Sequence, residues 1–362
     1  MIYLDHNATT PLKPEALEAM SAARVKGRNP MSLHRPGRRA RVQLDEAREA
    51  LRRLCNAPKA DVIFTSGGTE SDHLALRGLA HARRRAQGAT KVILTEVEHP
   101  AIKCAAEALA EDGFEVITLD APSGRIAPEA FEAIVDSDVA VVAVMLAHNT
   151  TGIVQPVAEI CDIASNHGVP VHVDAVQAAG KTTIEFYKLG ATSLAVSAHK
   201  FGGPRGVGAL IMQKCVDLSP IWSGGGQEEG KRSGSHANAL IAGMAAAADA
   251  AVIDQGRVAA NRDVFEAGLI VETGAQILGA EYPRLPNTCA AIIDGIDGRD
   301  FVKAMDEKGI ALSAGAACHA ASGGMGPAGQ IRFSLGQQNT QKELSEALKI
   351  TVEVVSNLRK ER

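Results

Sequence analysis

No two of the six cysteines, Cys55, Cys104, Cys161, Cys215, Cys289 and Cys318, stand at a Cys-x-x-Cys or metal-ligand spacing. That absence argues against both a zinc site and a disulfide framework, so no metal is expected. No apolar stretch reaches the length of a membrane span, and no membrane association is expected. The opening Met1-Ile2-Tyr3-Leu4-Asp5 lacks a charged segment followed by an apolar one, so the chain reads as cytoplasmic. An excess of one charge is missing too. The 38 Lys and Arg face 42 Asp and Glu, a net −4, and direct nucleic-acid binding is not expected. The basic runs Arg35-Pro36-Gly37-Arg38-Arg39-Ala40-Arg41 and Arg83-Arg84-Arg85 read as solvated helix faces. Docking of an acidic carrier protein or a tRNA-modifying partner is the other reading of them. Internal repeats, low-complexity tracts and long linkers are absent.

What is present suits a large globular protein. With 362 residues, 46% of them hydrophobic, the chain can bury a sizeable core and form two domains. Apolar runs at Asp61–Thr65, Lys91–Thr95, Val139–Leu146, Val169–Val173 and Val207–Met212 read as buried strands. Between them lie Ala-rich helical stretches such as Ser71–Ala86 and Ala101–Glu111. This alternation predicts an α/β fold with a mostly parallel sheet and helices on both faces. From about Val252 the pattern changes to an amphipathic helix near Asn261–Leu278, short strands at Ala290–Ile293 and Ile310–Ser313, and a final helix over Gln341–Leu358. That reads as a smaller α+β domain. The expected division is a large domain over 13–251 and a small one from 1–12 with 252–362.

The polar residues fall where such a sheet would put a site, beyond the carboxyl ends of its strands. The strand Asp61–Thr65 leads into Ser66-Gly67-Gly68-Thr69-Glu70, where glycines allow close approach and a helix N-terminus offers N–H groups to a phosphate. An ordinary turn capped by Thr69 is the alternative. The next strands lead into Glu96-Val97-Glu98-His99-Pro100, His148-Asn149-Thr150-Thr151-Gly152 and Asp174-Ala175-Val176-Gln177. Last comes Ser197-Ala198-His199-Lys200, after the run Ala191–Val196. A lysine at the end of a buried strand is paired, depressed in pKa or used covalently, unless it simply reaches the surface.

One covalent use is attachment of pyridoxal 5'-phosphate (PLP). In that chemistry Lys200 would hold the cofactor and then act as the base at the substrate Cα. Asp174, otherwise a helix cap, would keep the pyridine nitrogen protonated. His99 would stack on the ring, and Gln177 and Asn149 would bond its oxygen. Ser197 and His199 would donate to the phosphate.

Further motifs are Tyr3-Leu4-Asp5-His6-Asn7-Ala8-Thr9-Thr10-Pro11, Asn29-Pro30-Met31-Ser32-Leu33-His34 and Thr65-Ser66-Gly67-Gly68-Thr69-Glu70-Ser71. With His172-Val173-Asp174-Ala175-Val176-Gln177, Ser197-Ala198-His199-Lys200, Arg284-Leu285-Pro286-Asn287-Thr288 and Ile331-Arg332-Phe333-Ser334-Leu335-Gly336 they form one ordered series. In this series the chain resembles the class V aminotransferase superfamily, and within it the NifS/IscS-like cysteine desulfurases. The resemblance implies a fold-type I PLP-dependent transferase. Catalytic roles fall to Lys200, Cys318 and His99. The cofactor-binding set it implies is Lys200, Asp174, Gln177, His99, Gly68, Thr69, Ser197, His199, Asn149 and Ser235. Ser235 replaces the family's usual threonine, which reaches the phosphate across a homodimer interface. Arg332, Asn149 and Asn7 would bind the substrate, with the planar Arg332 fork pairing its carboxylate.

Cys318, in the small-residue segment Ser313-Ala314-Gly315-Ala316-Ala317-Cys318-His319, matches the family's sulfur-accepting nucleophile. The resemblance implies conversion of L-cysteine to L-alanine, a persulfide on Cys318, and passage of the sulfur to an acceptor protein or scaffold. Other PLP reactions on the same scaffold are the alternative: a selenocysteine lyase, a cysteine lyase or an aminotransferase. A catalytically weak subunit of a sulfur-transfer complex is another. The chain departs from the family in three places. The Asn-Asn-Glu-x-Gly segment reads His148-Asn149-Thr150-Thr151-Gly152, the Ser-Ser-Gly-Ser pattern reads Ser313-Ala314-Gly315-Ala316, and the stretch from Cys318 to Arg332 is shorter than in IscS-like members. The short stretch predicts slow sulfur transfer unless a partner comes to the site.

Overall fold

A computed structural model describes residues 1–26, 28–251, 254–315 and 329–360. The chain divides into two compact units. The larger comprises Pro11–Leu146 and Gln155–Val252; the smaller comprises Met1–Thr10, Ala147–Val154 and Ile253–Arg362.

After β1 (Ile2–Tyr3), which belongs to the smaller unit, the chain forms α1 (Pro14–Lys26), α2 (Arg35–Leu54), β2 (Asp61–Thr65) and α3 (Gly68–Gln87). It continues with β3 (Lys91–Thr95), α4 (Pro100–Glu111), β4 (Glu115–Leu119), α5 (Pro128–Glu132) and β5 (Val139–Met145). Then come α6 (Val157–Asn166), β6 (Val171–Asp174), α7 (Phe186–Leu189), β7 (Ser193–Ser197), β8 (Gly208–Met212) and α8 (Asn238–Asp249). The strands form one sheet in the order β2-β8-β7-β6-β5-β3-β4. Neighbours from β7 through β4 are parallel, whereas β8 runs antiparallel to both β7 and β2. The reason is the connection. Only a 3-10 turn at Ala198–Lys200 lies between β7 and β8, not a crossover helix, so the chain must return antiparallel.

Side chains alternate across this sheet. Val62, Phe64, Val142, Val144, Leu194 and Val196 join one buried cluster. Ile63, Val92, Leu94, Val141, Ala143 and Leu210 join another. Both faces are therefore covered, which is why the strands read as continuous apolar runs rather than alternating ones. The carboxyl ends of β2, β3, β5, β6 and β7 share one edge of the sheet. In register there, Met145 pairs with Asp174 and Asp174 with Ala195. Asp174 is thus the last residue of β6, one residue beyond the apolar run that marks the strand in the sequence.

The smaller unit adds α9 (Gln255–Thr273), β9 (Gln276–Ile277), β10 (Thr288–Ile292), α10 (Gly298–Glu307), β11 (Ile310–Ala311), β12 (Gln330–Ser334) and α11 (Gln341–Lys360). β10 is the centre of an antiparallel three-stranded sheet, flanked by β12 and β9, and β1 pairs in parallel with β11. Its core is built on Leu4, Phe265, Leu269, Phe301, Ile331 and Phe333. The helix expected near Asn261–Leu278 starts earlier and stops at Thr273. Gly274, at φ 73°, takes the left-handed cap, and Gln276–Ile277 then joins the sheet. The segment Ala147–Val154 falls in this unit. Ile153 bridges Arg284, Val154 N–H donates to the Pro283 carbonyl, and Leu285 N–H donates to that of Gly152. No described helix is long and apolar enough to cross a membrane.

Candidate active site

The larger unit carries one set of predicted residues at the carboxyl edge of its sheet. β2 turns through Ser66-Gly67, and α3 begins at Gly68 with no side chain capping its N-terminus. The first-turn N–H groups of α3 thus stand at a positive helix end, suited to an anion. The turn is tight. A Cβ on Gly68 would stand 2.7 Å from Val176 Cγ2, and one on Gly208 would stand 2.7 Å from the Gly67 backbone. Ser197 Oγ lies 3.9 Å from the place of a Cβ on Gly67, so this buried hydroxyl adjoins the turn. Glu70 accepts from Ser66 N–H at 2.7 Å and pairs with Arg232 at 2.7 Å. That ion pair ties the Arg232-Ser233-Gly234-Ser235 segment to the start of α3, with Ser235 and Thr69 exposed.

Next to this cradle are the groups that would hold a pyridine ring. Asp174 is buried, and its carboxylate accepts from Val176 N–H at 2.9 Å. Burial raises its pKa, opposed by the His99 charge, the Val176 bond and the Lys200 charge. His99 caps α4, with Nδ1 accepting from Ala101 N–H at 3.2 Å and Pro100 at the first helical position. Gln177 Oε1 accepts from Lys181 Nζ at 2.6 Å. His199 is pushed down to about 4, by burial first and then by Lys200, Arg205 and Lys181, so its imidazole is neutral at pH 7. The donor set matches PLP: an uncapped helix end with hydroxyls for a phosphate, a buried carboxylate for a ring nitrogen, and a lysine at the end of β7.

This fit supports a test at Gly68. The Gly68→Ala methyl group must displace Val176 or the turn, at a cost of about 1–3 kcal/mol. PLP retention on equilibrium dialysis is expected to fall roughly tenfold or more, in line with that cost. Undiminished retention would show that the phosphate binds elsewhere.

The smaller unit carries the other set. Arg332, on β12, is 1% exposed. Its Nη1 donates to the Asn149 carbonyl at 3.1 Å, and its Nη2 donates to Asp5 Oδ1 at 2.7 Å and Ser313 Oγ at 3.1 Å. Among the described residues, its buried Nε has no hydrogen-bond partner. Such an atom is costly unless something comes to accept from it. Asn7 is buried beside the same segment. Its Nδ2 donates to Thr288 Oγ1 at 2.9 Å and to the Asn149 carbonyl at 3.3 Å, and its Oδ1 accepts from Asn287 at 3.1 Å. With both amide N–H groups engaged, Asn7 holds the Asn149 segment in place. Cys318 and His319 lie outside the described residues.

Three buried polar residues were passed over in the sequence. Asp72 on α3 stands 3.2 Å, Oδ1 to Nε2, from His172 on β6, whose Nδ1 is 2.9 Å from Ser193 Oγ. Glu98 Oε1 accepts from Thr95 Oγ1 at 2.6 Å and from Met145 N–H at 2.8 Å. Two signals were available: Glu98 directly precedes His99, and His172 is two residues before Asp174, on the same strand face.

Comparison with known proteins agrees with this geometry. The class-V aminotransferase family matches residues 2–346. An IscS-like cysteine desulfurase of Mycobacterium tuberculosis is 38% identical, over 99% of this chain and 98% of its own length. A solved NifS-like protein superimposes with a TM-score of 0.90 at 33% identity, covering 98% of this chain and 99% of its own. A structure described as SspA in complex with cysteine has a TM-score of 0.81 at 27% identity, covering 92% and 99% of the two chains. The chain belongs to the class-V aminotransferase family of PLP-dependent enzymes, among the NifS/IscS-like cysteine desulfurases.

Proposed function

We propose that this protein is a cysteine desulfurase that converts L-cysteine to L-alanine and moves the sulfur to Cys318, then to an acceptor. The observation that carries the reading is full-length similarity to cysteine desulfurases, joined to the Lys200, Asp174 and Arg332 environments described above. Bound PLP supplies an electron sink for the charge left when a Cα proton departs.

The chain's own residues do the rest. Lys200 holds the cofactor, and on release its amine takes the Cα proton of the substrate. Asp174 would keep a proton on the ring nitrogen, His99 and Gln177 would hold the ring, and Gly68, Thr69, Ser197 and His199 would hold the phosphate. Ser235, exposed on its segment, reaches the phosphate of a second copy, so the active form is a homodimer. Arg332 and the segment bearing Asn149 receive the substrate carboxylate.

The sulfur step balances without an external oxidant. The Cys318 thiolate attacks the substrate sulfur, an S–S bond forms and the C–S bond breaks. The released electron pair returns to the carbon skeleton, which takes up a proton and leaves as alanine. A reducing thiol or an acceptor protein then clears the persulfide. The short stretch between Cys318 and Arg332 favours an acceptor that comes to the site over a long-range swing.

Alanine release from L-cysteine tests this, with and without a reducing thiol, for the PLP-loaded protein and for Cys318→Ala. The expected result is release only with intact Cys318, faster when reductant is present. Equal release from both proteins would make Cys318 a bystander and move the reading to a lyase, and none from either would favour an aminotransferase or a non-catalytic subunit.

A further inference from the structure

Behind Asp174 the larger unit buries two more carboxyl groups that the reaction as derived leaves unused. Glu98 is 2% exposed and Asp72 1%. Backbone geometry brings them together. Glu98 is bonded to the N–H of Met145, and Met145 is the in-register neighbour of Asp174 across β5 and β6. Adjacent strands lie about 4.8 Å apart, so Glu98 sits beside the Asp174 strand end. Asp72 reaches the same strand face through His172, two residues before Asp174.

Three carboxyls this close in a dry interior cannot all carry charge. Asp174 has the strongest claim to the anion, with the Lys200 ammonium nearby and the Val176 N–H bonded to it. Asp72 faces His172, which burial pushes down to about 3 and so keeps neutral. Burial, then the charges of Asp174 and Glu98, push Asp72 well above the usual carboxylate range. Glu98 Oε1 accepts two hydrogen bonds, while its buried Oε2 has no hydrogen-bond partner among the described residues. Burial raises it to about 7, helped by Asp174 and opposed by the Thr95 hydroxyl, the Met145 N–H and Lys103. The charged and titratable groups around Glu98 are thus Asp72 on α3, Lys103 and His99 on α4, His172 and Asp174 on β6, and Lys200 after β7.

We propose that Glu98 is a positioning residue for Asp174: its carboxyl holds the proton that leaves the negative charge of the cluster on Asp174, and its ionisation at higher pH adds a second charge behind the cofactor. The proposal rests on the PLP reading of the site. Glu98 acts at a distance, through the charge it leaves on Asp174 and through the field of its own carboxylate once ionised. A second anion there raises the proton affinity of every basic nitrogen nearby, including the one joining Lys200 to the cofactor.

The test is the absorbance of the PLP-loaded protein from about pH 5 to about pH 10, for wild type, Glu98→Gln and Asp72→Asn. Gln replaces a protonated Glu without changing charge, so Glu98→Gln should keep PLP and the wild-type spectrum at the acid end. Its midpoint should lie lower than wild type by about one pH unit, the size expected for a single charge at this range. The wild-type curve should also be broader than a single-site titration, because two groups share it. Asp72→Asn should shift the curve less than Glu98→Gln, since the Asp72 carboxyl is paired with His172 rather than bonded at the strand end beside Asp174. Coincident wild-type and Glu98→Gln curves would overturn the proposal. So would a Glu98→Gln protein that fails to fold or loses PLP at the acid end, or a shift in Asp72→Asn as large as in Glu98→Gln. A wild-type protein that acquires no PLP absorbance would instead overturn the functional reading beneath it.

Discussion

Lys200→Ala is expected to lower alanine release from L-cysteine by at least about 10²–10⁴-fold, the usual worth of a positioned general base. The larger end applies because the same amine is proposed to hold the cofactor as well. Lys200 closes the 3-10 turn that directly follows β7, a strand paired on both sides. Its loss removes a half-buried ammonium from the neighbourhood of Asp174 without opening a core cavity. Thermal stability should therefore change little while the rate collapses. PLP should still bind through the Gly67-Gly68 turn and Asp174, but should leave on dialysis after denaturation with no residual attachment to protein. A small primary amine added to the assay should restore part of the rate. A Lys200→Ala enzyme that turns over cysteine within tenfold of wild type would remove Lys200 from the reaction.

The second large effect is expected at Arg332, where stability and substrate binding separate. Arg332→Lys keeps a positive charge beside Asp5 but loses the planar fork. Loss of charged hydrogen bonds of this kind costs about 2–3 kcal/mol, so KM for L-cysteine should rise roughly 30- to 150-fold with a much smaller change in kcat. Arg332→Ala goes further. It strands the Asp5 carboxylate and unties the Asn149 carbonyl and Ser313 hydroxyl. Breaking a buried pair costs about 3–5 kcal/mol, and the lower figure applies because the Asp5 side chain is 18% exposed. Urea titration should show that loss in Arg332→Ala and only part of it in Arg332→Lys. An Arg332→Lys enzyme with unchanged KM would exclude Arg332 as the carboxylate ligand.

Much of the larger unit is legible in the sequence because its strands are buried on both faces. Asp61–Thr65 and Lys91–Thr95 are bounded in the structure where their apolar runs begin and end. The polar residues that follow each run needed no tertiary information to be found. The antiparallel course of β8 was not legible, since strand direction depends on what connects the strands rather than on their composition. Nor was β12, whose Gln330-Ile331-Arg332-Phe333-Ser334 alternates polar and apolar residues that are all buried. The polar members are satisfied only by partners distant in the sequence. Ser334 bonds to Asn7 N–H and Arg332 bonds to Asp5, contacts that local pattern cannot reveal.

By itself the sequence determined the α/β class, the family, and which residue types stand at the strand ends, because those follow from periodicity, turn chemistry and short motifs. The tertiary structure alone decided that Asn7 holds Asn149, that Ala147–Val154 folds with the smaller unit, and that Asp72 and Glu98 are buried with Asp174. Those outcomes depend on which polar groups lose water together, and desolvation is a property of packed neighbours rather than of neighbours in the chain.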